Sequence, residues 1–252
     1  MQSTHLDSTF GSGVRRSRKS IRSARRAATP NLTHLTPQPY LDPIREVKRE
    51  SIHWKRKLFH VLGIGTAGFA YALINVGRWE AAAILGAIAA LFVFLDGLRF
   101  FVPALNKKVK KDFGPLMRDY ELDGLSGSSW FLISAVLAVA VFPKAAAYLG
   151  IIYLALGDPL ASFVGVRWGR IRMPGGKSLE GSTALFALCS VVGYVLLTLL
   201  AGLTPAVALP VALGTGLAAA FAEALPSKRI DDNFVVPLLT GGVATLLLNV
   251  FV

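Results

Sequence analysis

LGDPLASFVGVRWGRIRMPGGKSLEG, residues Leu156–Gly181, begins inside an apolar run long enough to cross a bilayer, yet it carries Asp158 followed at once by Pro159. An acid in such a run is costly unless it is paired, and it marks a functional site by default. Pro159 disfavours helical geometry at the residue before it, so an interrupted helix with freed carbonyls is expected around Asp158. The stretch then leaves the apolar phase through Arg167, Arg170 and Arg172, and ends in a Gly-rich loop with Lys177 and a second acid, Glu180. Its reading decides the fold: an apolar crossing that ends in acids and bases belongs to a membrane protein with a polar site at one rim.

The whole chain agrees. Of 252 residues, 53% are hydrophobic and only 17% charged, with mean hydropathy +0.53, well below the roughly 25% charge of soluble domains. The first 57 residues hold 13 of the 27 Lys and Arg and no long apolar run. We therefore expect a disordered basic tail over residues 1–43, followed by a transmembrane domain over residues 44–252. Val14–Ala28, Arg-rich, Ser-rich and free of acids, also has the character of an organellar transit peptide or a surface-lying basic helix. A net charge of +12 beside so many apolar runs argues for anionic lipid headgroups rather than nucleic acid as its partner. Cys189 is the single cysteine, which excludes an intrachain disulfide and a Cys-based metal site. The sequence offers no sign of a protein partner.

Seven apolar segments approach the length a bilayer requires: Leu58–Val76, Glu80–Phe101, Ser128–Phe142, Ala145–Val166, Thr183–Ala201, Pro205–Leu225 and Phe234–Val252. The predicted class is all-α, polytopic, with about seven transmembrane helices, and Ser182 and Thr183 are candidate N-caps for the fifth. Basic residues gather in alternate loops: Lys107, Lys108, Lys110, Lys111 and Arg118, then Arg167–Lys177, then Lys228 and Arg229. The intervening loops hold only Arg78 and Lys144. By the positive-inside rule this puts the N-terminus in the cytosol.

With that topology every unusual polar group falls on one side. Arg56, Lys57 and His60 share a helical stripe at the start of the first segment. Asp96 and Arg99 end the second, Ser126 precedes the third, Asp158 ends the fourth, Glu223 the sixth, and Asp231-Asp232-Asn233 open the seventh. Lysines at such ends are ordinary snorkelling anchors, but acids neither snorkel far nor follow the positive-inside rule. Acids mixed with Arg and Lys suit phosphoryl transfer: carboxylates hold Mg²⁺ beside phosphate oxygens, and cations neutralise the charge that moves in the transition state. Gly175, Gly176 and Gly181 admit a close backbone approach to phosphate. Gly176-Lys177-Ser178 is not a Walker A loop, because the earlier glycine falls at Ile171.

These motifs, in this order, resemble a known family, the CTP-dependent lipid kinases, which comprises dolichol, phytol and farnesol kinases and the yeast-type diacylglycerol kinase. The resemblance rests on Arg56-Lys57-Leu58-Phe59-His60, Ser126-Gly127-Ser128, Leu156-Gly157-Asp158-Pro159-Leu160-Ala161-Ser162, Gly165, Gly169, Gly176–Ser182 and Asp232-Asn233. It covers the chain from about Ile52 to its end. Pro159 departs from the pattern, where members often have Ala.

The resemblance implies transfer of the γ-phosphate of CTP, with a divalent metal such as Mg²⁺, to the hydroxyl of a lipid alcohol. It implies triphosphate contacts from Arg56 and Lys57, and nucleotide binding by Gly157, Gly165, Arg167 and the loop of Gly176, Lys177, Ser178 and Gly181. It makes Asp158, Lys177, Glu180 and Asp232 the catalytic candidates, with Asp158, Glu180 and Asp232 as metal ligands. Asp232 and His60 are alternative bases, and Asp96, Ser126, Glu223 and Asn233 are further candidates. The rival readings are a phosphatidate cytidylyltransferase, whose C-terminal signature is missing here, and a transporter of an anionic solute. A transporter should show polar groups near mid-bilayer and internal repeats, which this sequence lacks.

Overall fold

A computed structural model describes residues 54–225 and 231–252. The basic tail, most of the charged stretch before Lys57, and Lys228 and Arg229 lie outside them. The described chain is helical, with one isolated β-bridge and no strand. Helix α1 (Trp54–Phe59) runs through a π-helical turn (His60–Ile64) into α2 (Gly65–Leu73). Then come α3 (Arg78–Leu98), α4 (Pro103–Phe113), α5 (Gly127–Val141), α6 (Lys144–Trp168), α7 (Leu179–Leu199), α8 (Pro205–Ala224) and α9 (Asp232–Phe251). Short 3₁₀ turns at Gly114–Leu116 and Asp119–Leu122 link α4 to α5.

Five of these helices, α3, α6, α7, α8 and α9, are long and apolar enough to cross a membrane, as a polytopic protein requires. Helix α5 is apolar but has 15 residues, about 22 Å at 1.5 Å per residue, which is less than the roughly 30 Å hydrocarbon core. The predicted first crossing is the compound helix α1–α2, whose π turn is a local widening of the kind common at functional sites.

Helix α6 is the axis of the bundle. It packs against α2, α5, α7, α8 and α9, and residues 146–155 are all buried. Small residues make this closeness feasible, as expected where van der Waals fit rather than water drives association. A Cβ on Gly150 would collide with the Pro237 carbonyl of α9, and one on Gly157 would lie 2.8 Å from Leu185 Cγ of α7.

Two local expectations are corrected. Pro159 does not interrupt α6, which continues to Trp168. The hydrogen bond lost at proline is outweighed by packing along a helix that is buried on most sides. The N-cap of α7 is Ser178, whose Oγ accepts from the Gly181 N–H at 3.1 Å, so the helix starts four residues before the predicted crossing. Ser182 and Thr183 are inside it, and the Thr183 hydroxyl donates back to the Leu179 carbonyl.

Successive long helices alternate direction. The starts of α1, α5, α7 and α9 therefore meet the ends of α3, α6 and α8 at one end of the bundle, where the polar residues are.

Candidate active site

The first wall of the site is built by α1 and α6. Lys57 and Asp158 are both 4% exposed, and Lys57 Nζ donates to Asp158 Oδ2 at 2.6 Å and reaches the Asp158 carbonyl at 3.5 Å. His60, which opens the π turn, brings Nδ1 to 3.6 Å from the same Oδ2, and that nitrogen has no hydrogen-bond partner among the described residues. Arg56, one residue before Lys57, has a buried Nε that is also without a partner among the described residues. A buried ion pair gains little net stability, but leaving one member alone costs about 3–5 kcal/mol. Lys57 and Asp158 are thus held together by mutual need.

The second wall is Asp231-Asp232 at the start of α9, met by Arg118 from the segment between α4 and α5. Arg118 grips Asp232 with both terminal nitrogens at 2.9 Å and lies 3.6 Å from Asp231. It also contacts the Tyr120 hydroxyl, which donates to Asp231 Oδ2 at 2.9 Å. Burial opposes the Arg118 charge, but Asp232 and Asp231 outweigh it and raise its pKa. Burial and then repulsion from Asp232 push Asp231 up to about 7.

The third wall is the loop from α6 to α7. Met173, Pro174, Gly175 and Gly176 form a tight turn, closed by the Gly176 N–H on the Met173 carbonyl. Pro at the second position and Gly175 at φ 88° are what a type II turn requires. Gly176 follows at φ 83° with open space around its Cα. The turn projects Lys177, whose Nζ meets Glu223 Oε1 at 2.5 Å and Asp232 Oδ2 at 3.4 Å. Burial works against the Lys177 charge, yet Asp232 and Glu223 outweigh it and raise the ammonium pKa. Glu223 is also reached by the Ser182 hydroxyl at 3.4 Å.

Lys57, Asp158, Lys177, Glu223 and Asp232 are thus in one charge network, and Asp158 and Asp232 are close enough to act on each other electrostatically. Among the described residues, no three His, Cys, Asp or Glu are arranged as a ready metal cage. Two facing carboxylates balanced by cations nevertheless fit Mg²⁺, which is commonly held by one or two acids together with substrate phosphates.

Other predicted residues are placed differently. Glu180 points away from the network: its carboxylate accepts the Arg170 N–H at 2.9 Å and the Ile171 N–H at 3.1 Å on the exposed side of the loop. An acid in the first turn of α7 naturally takes loop N–H groups there, so Glu180 braces the turn. Gly157 faces α7, and Gly165 and Gly181 are joints: a Cβ at Gly165 would lie 2.8 Å from Ser178 Oγ, and one at Gly181 would lie 2.5 Å from the Ala161 carbonyl. Arg167 is exposed at the end of α6.

Asp96 and Ser126 form a neighbouring cluster. Asp96 accepts from the Ser126 N–H at 2.8 Å and the Ser129 hydroxyl at 2.6 Å, and pairs with Arg99 at 2.9 Å. Arg99 is fully buried and donates to the Glu121 and Gly124 carbonyls, which fixes the segment that carries Arg118. Asn233 is buried, and its Nδ2 occupies the space where a Gly127 side chain would be. Arg118 and Tyr120 are not among the candidates the sequence offers, and Asp231 stands there only as a polar neighbour of Asp232. In sequence Arg118 is one more positive-inside charge, although the run Arg118–Gly124 is conspicuously polar for a short loop.

Fold and site together define a membrane-embedded protein with a cluster of paired acids and bases toward one end of its helix bundle. The chain is 29% identical over 205 residues to a CTP-dependent diacylglycerol kinase of Schizosaccharomyces pombe, covering 77% of this chain and 92% of that protein. It is 25% identical to the corresponding kinase of Saccharomyces cerevisiae, over 79% and 78% of the two chains. It is 30% identical to a phytol kinase of Synechocystis, over 73% of this chain and 74% of that one. No family model and no solved structure matches. The chain belongs to the family of membrane lipid kinases that includes these CTP-dependent diacylglycerol kinases and phytol kinases.

Proposed function

We propose that this protein transfers the γ-phosphate of CTP to the hydroxyl of a lipid alcohol, diacylglycerol or an isoprenoid alcohol, at the cytosolic rim of seven membrane crossings. The observation that carries the reading is the set of three acid–base pairs, Lys57–Asp158, Arg118–Asp232 and Lys177–Glu223, converging from four helices and two loops. A triphosphate and its cation can replace each partner in kind: phosphate oxygens take over Lys57, Lys177 and Arg118, and the carboxylates are released. Arg56, whose Nε has no partner among the described residues, adds a further phosphate contact.

Asp158 and Asp232 would hold Mg²⁺, which when bound neutralises the β- and γ-phosphates. The acceptor approaches sideways from the bilayer, since the helix that carries His60 leaves Leu58, Phe59 and Leu62 exposed by half or more. Confinement of an apolar acceptor beside the nucleotide supplies proximity. Its hydroxyl oxygen attacks the γ-phosphorus in line, the bond to the β-phosphate oxygen breaks, and CDP leaves. The hydroxyl proton passes to His60 Nδ1, whose resulting charge Asp158 supports at 3.6 Å. Glu180 shapes the Lys177 turn without touching the reacting atoms.

The test is purified protein in vesicles with Mg²⁺, supplied in turn with CTP and ATP and with diacylglycerol, phytol or a polyprenol. Formation of CDP together with one of the lipid phosphates supports the reading. Pyrophosphate with a cytidylylated lipid would replace it with nucleotidyl transfer.

A further inference from the structure

Helix α4 is the one described helix of more than ten residues with no buried residue. It follows the membrane-crossing α3 at the site end of the bundle, and its main packing partner among the described residues is the 3₁₀ turn after it. Leu105, Val109 and Phe113 recur every fourth residue and so share one stripe. Leu105 and Val109 are half-covered, whereas Phe113 is 54% exposed. Phe101 and Val102, just before the helix, extend that apolar surface, with Phe101 84% exposed. Lys107, Lys108, Lys110 and Lys111 occupy the remaining arc, all exposed, beside the helix's one acid, Asp112; Lys110 also lies 3.4 Å from Asp123.

We infer that α4 lies in the plane of the membrane surface and docks on anionic lipid headgroups. An apolar stripe opposite a lysine face is what an interfacial helix needs, and the crossing helix delivers it to that depth. The charge selects the occupant. Four exposed lysines face away from the apolar stripe against a single acid in the helix, Asp112, and one weak ion pair to Asp123, so a layer of negative headgroups is the complement. Each lysine near such a layer contributes about a five-fold factor in partitioning. The same helix leads through Gly114–Leu116 to Arg118, so docking anchors one end of the segment that grips Asp232. This inference rests on the membrane fold and not on the reaction.

The experiment places a nitroxide on a cysteine at Phe113→Cys or Lys108→Cys in the full chain; Cys189 is buried and stays unlabelled. The protein is reconstituted into phosphatidylcholine vesicles with or without 30% phosphatidylserine. Expected with phosphatidylserine is a several-fold rise in relaxation of the Phe113 label by lipid-dissolved oxygen and a matching loss to a water-soluble relaxer. The Lys108 label stays water-accessible. Replacing all four lysines with Gln, or adding 1 M salt, should remove the change. A Phe113 label equally open to the aqueous relaxer in both vesicles would overturn the proposal. So would an oxygen response that the lysine replacement leaves intact.

Discussion

At the scale of the residue, the site is a set of opposed charges in a place that tolerates none of them singly. Lys57→Met should abolish transfer and, by stranding Asp158, destabilise the protein by about 3–5 kcal/mol. Adding Asp158→Asn to that variant should recover most of the lost stability with no return of activity, as thermal unfolding in detergent and a turnover assay would read. If the double variant is no more stable than the single one, the pair is not the buried ion pair described here.

Glu180→Gln should behave differently, because its carboxylate holds loop N–H groups. Turnover persists, and the KM for nucleotide rises several-fold; complete loss of kcat would put Glu180 back among the reacting groups. Asp231 gives a pH test. Its carboxyl is raised from about 3.8 to about 7 in the folded protein, so the unfolded chain ionises first. Stability contributed by its protonated form is complete below about pH 4 and lost as pH rises to 7. Asp231→Asn should flatten that decline; an unchanged pH–stability profile would contradict the assigned environment.

At the scale of the element, glycine and proline do most of the positioning. Gly150→Ala drives a methyl group into the Pro237 carbonyl and should cost about 1–3 kcal/mol, the usual range for overpacking. Unfolding temperature would read it, and a neutral result would mean that α6 and α9 separate without penalty. The sequence made the elements legible because long apolar runs have few alternatives in lipid. It did not make the glycine roles legible: a glycine that admits a phosphate and one that admits a neighbouring helix look alike until the neighbour is known. Gly157 and Gly165 proved to be of the second kind, and Gly176, with open space around it, keeps room for a ligand. Pro159 misled for a related reason, since local preference predicts a break that burial on most sides of α6 overrides. Arg118 was hidden by its company, one basic residue among five in a loop where basic residues are ordinary.

At the scale of the molecule, alternating helices gather at one end of the bundle groups that are over one hundred residues apart in sequence, as Lys57 and Asp158 are. Much of that gathering was readable from topology, because Asp96, Glu223 and Asp232 lie at helix ends and the ends alternate, whereas Asp158 lies ten residues before the end of α6. The family was readable from motif order, and its relatives bear it out. Acceptor choice was not readable, since apolar spans carry no code for the shape of a lipid tail.

The central claim is transfer of a γ-phosphoryl group from CTP to a lipid hydroxyl at Asp158 and its partners. The direct measurement is incubation of the reconstituted protein with CTP labelled at the γ-phosphate, Mg²⁺ and the acceptor lipids, beside Asp158→Asn. Label recovered in a lipid phosphate with the native chain, and none with the variant, is the predicted result. Label released only as pyrophosphate, or lipid phosphate formed equally well by Asp158→Asn, would contradict it.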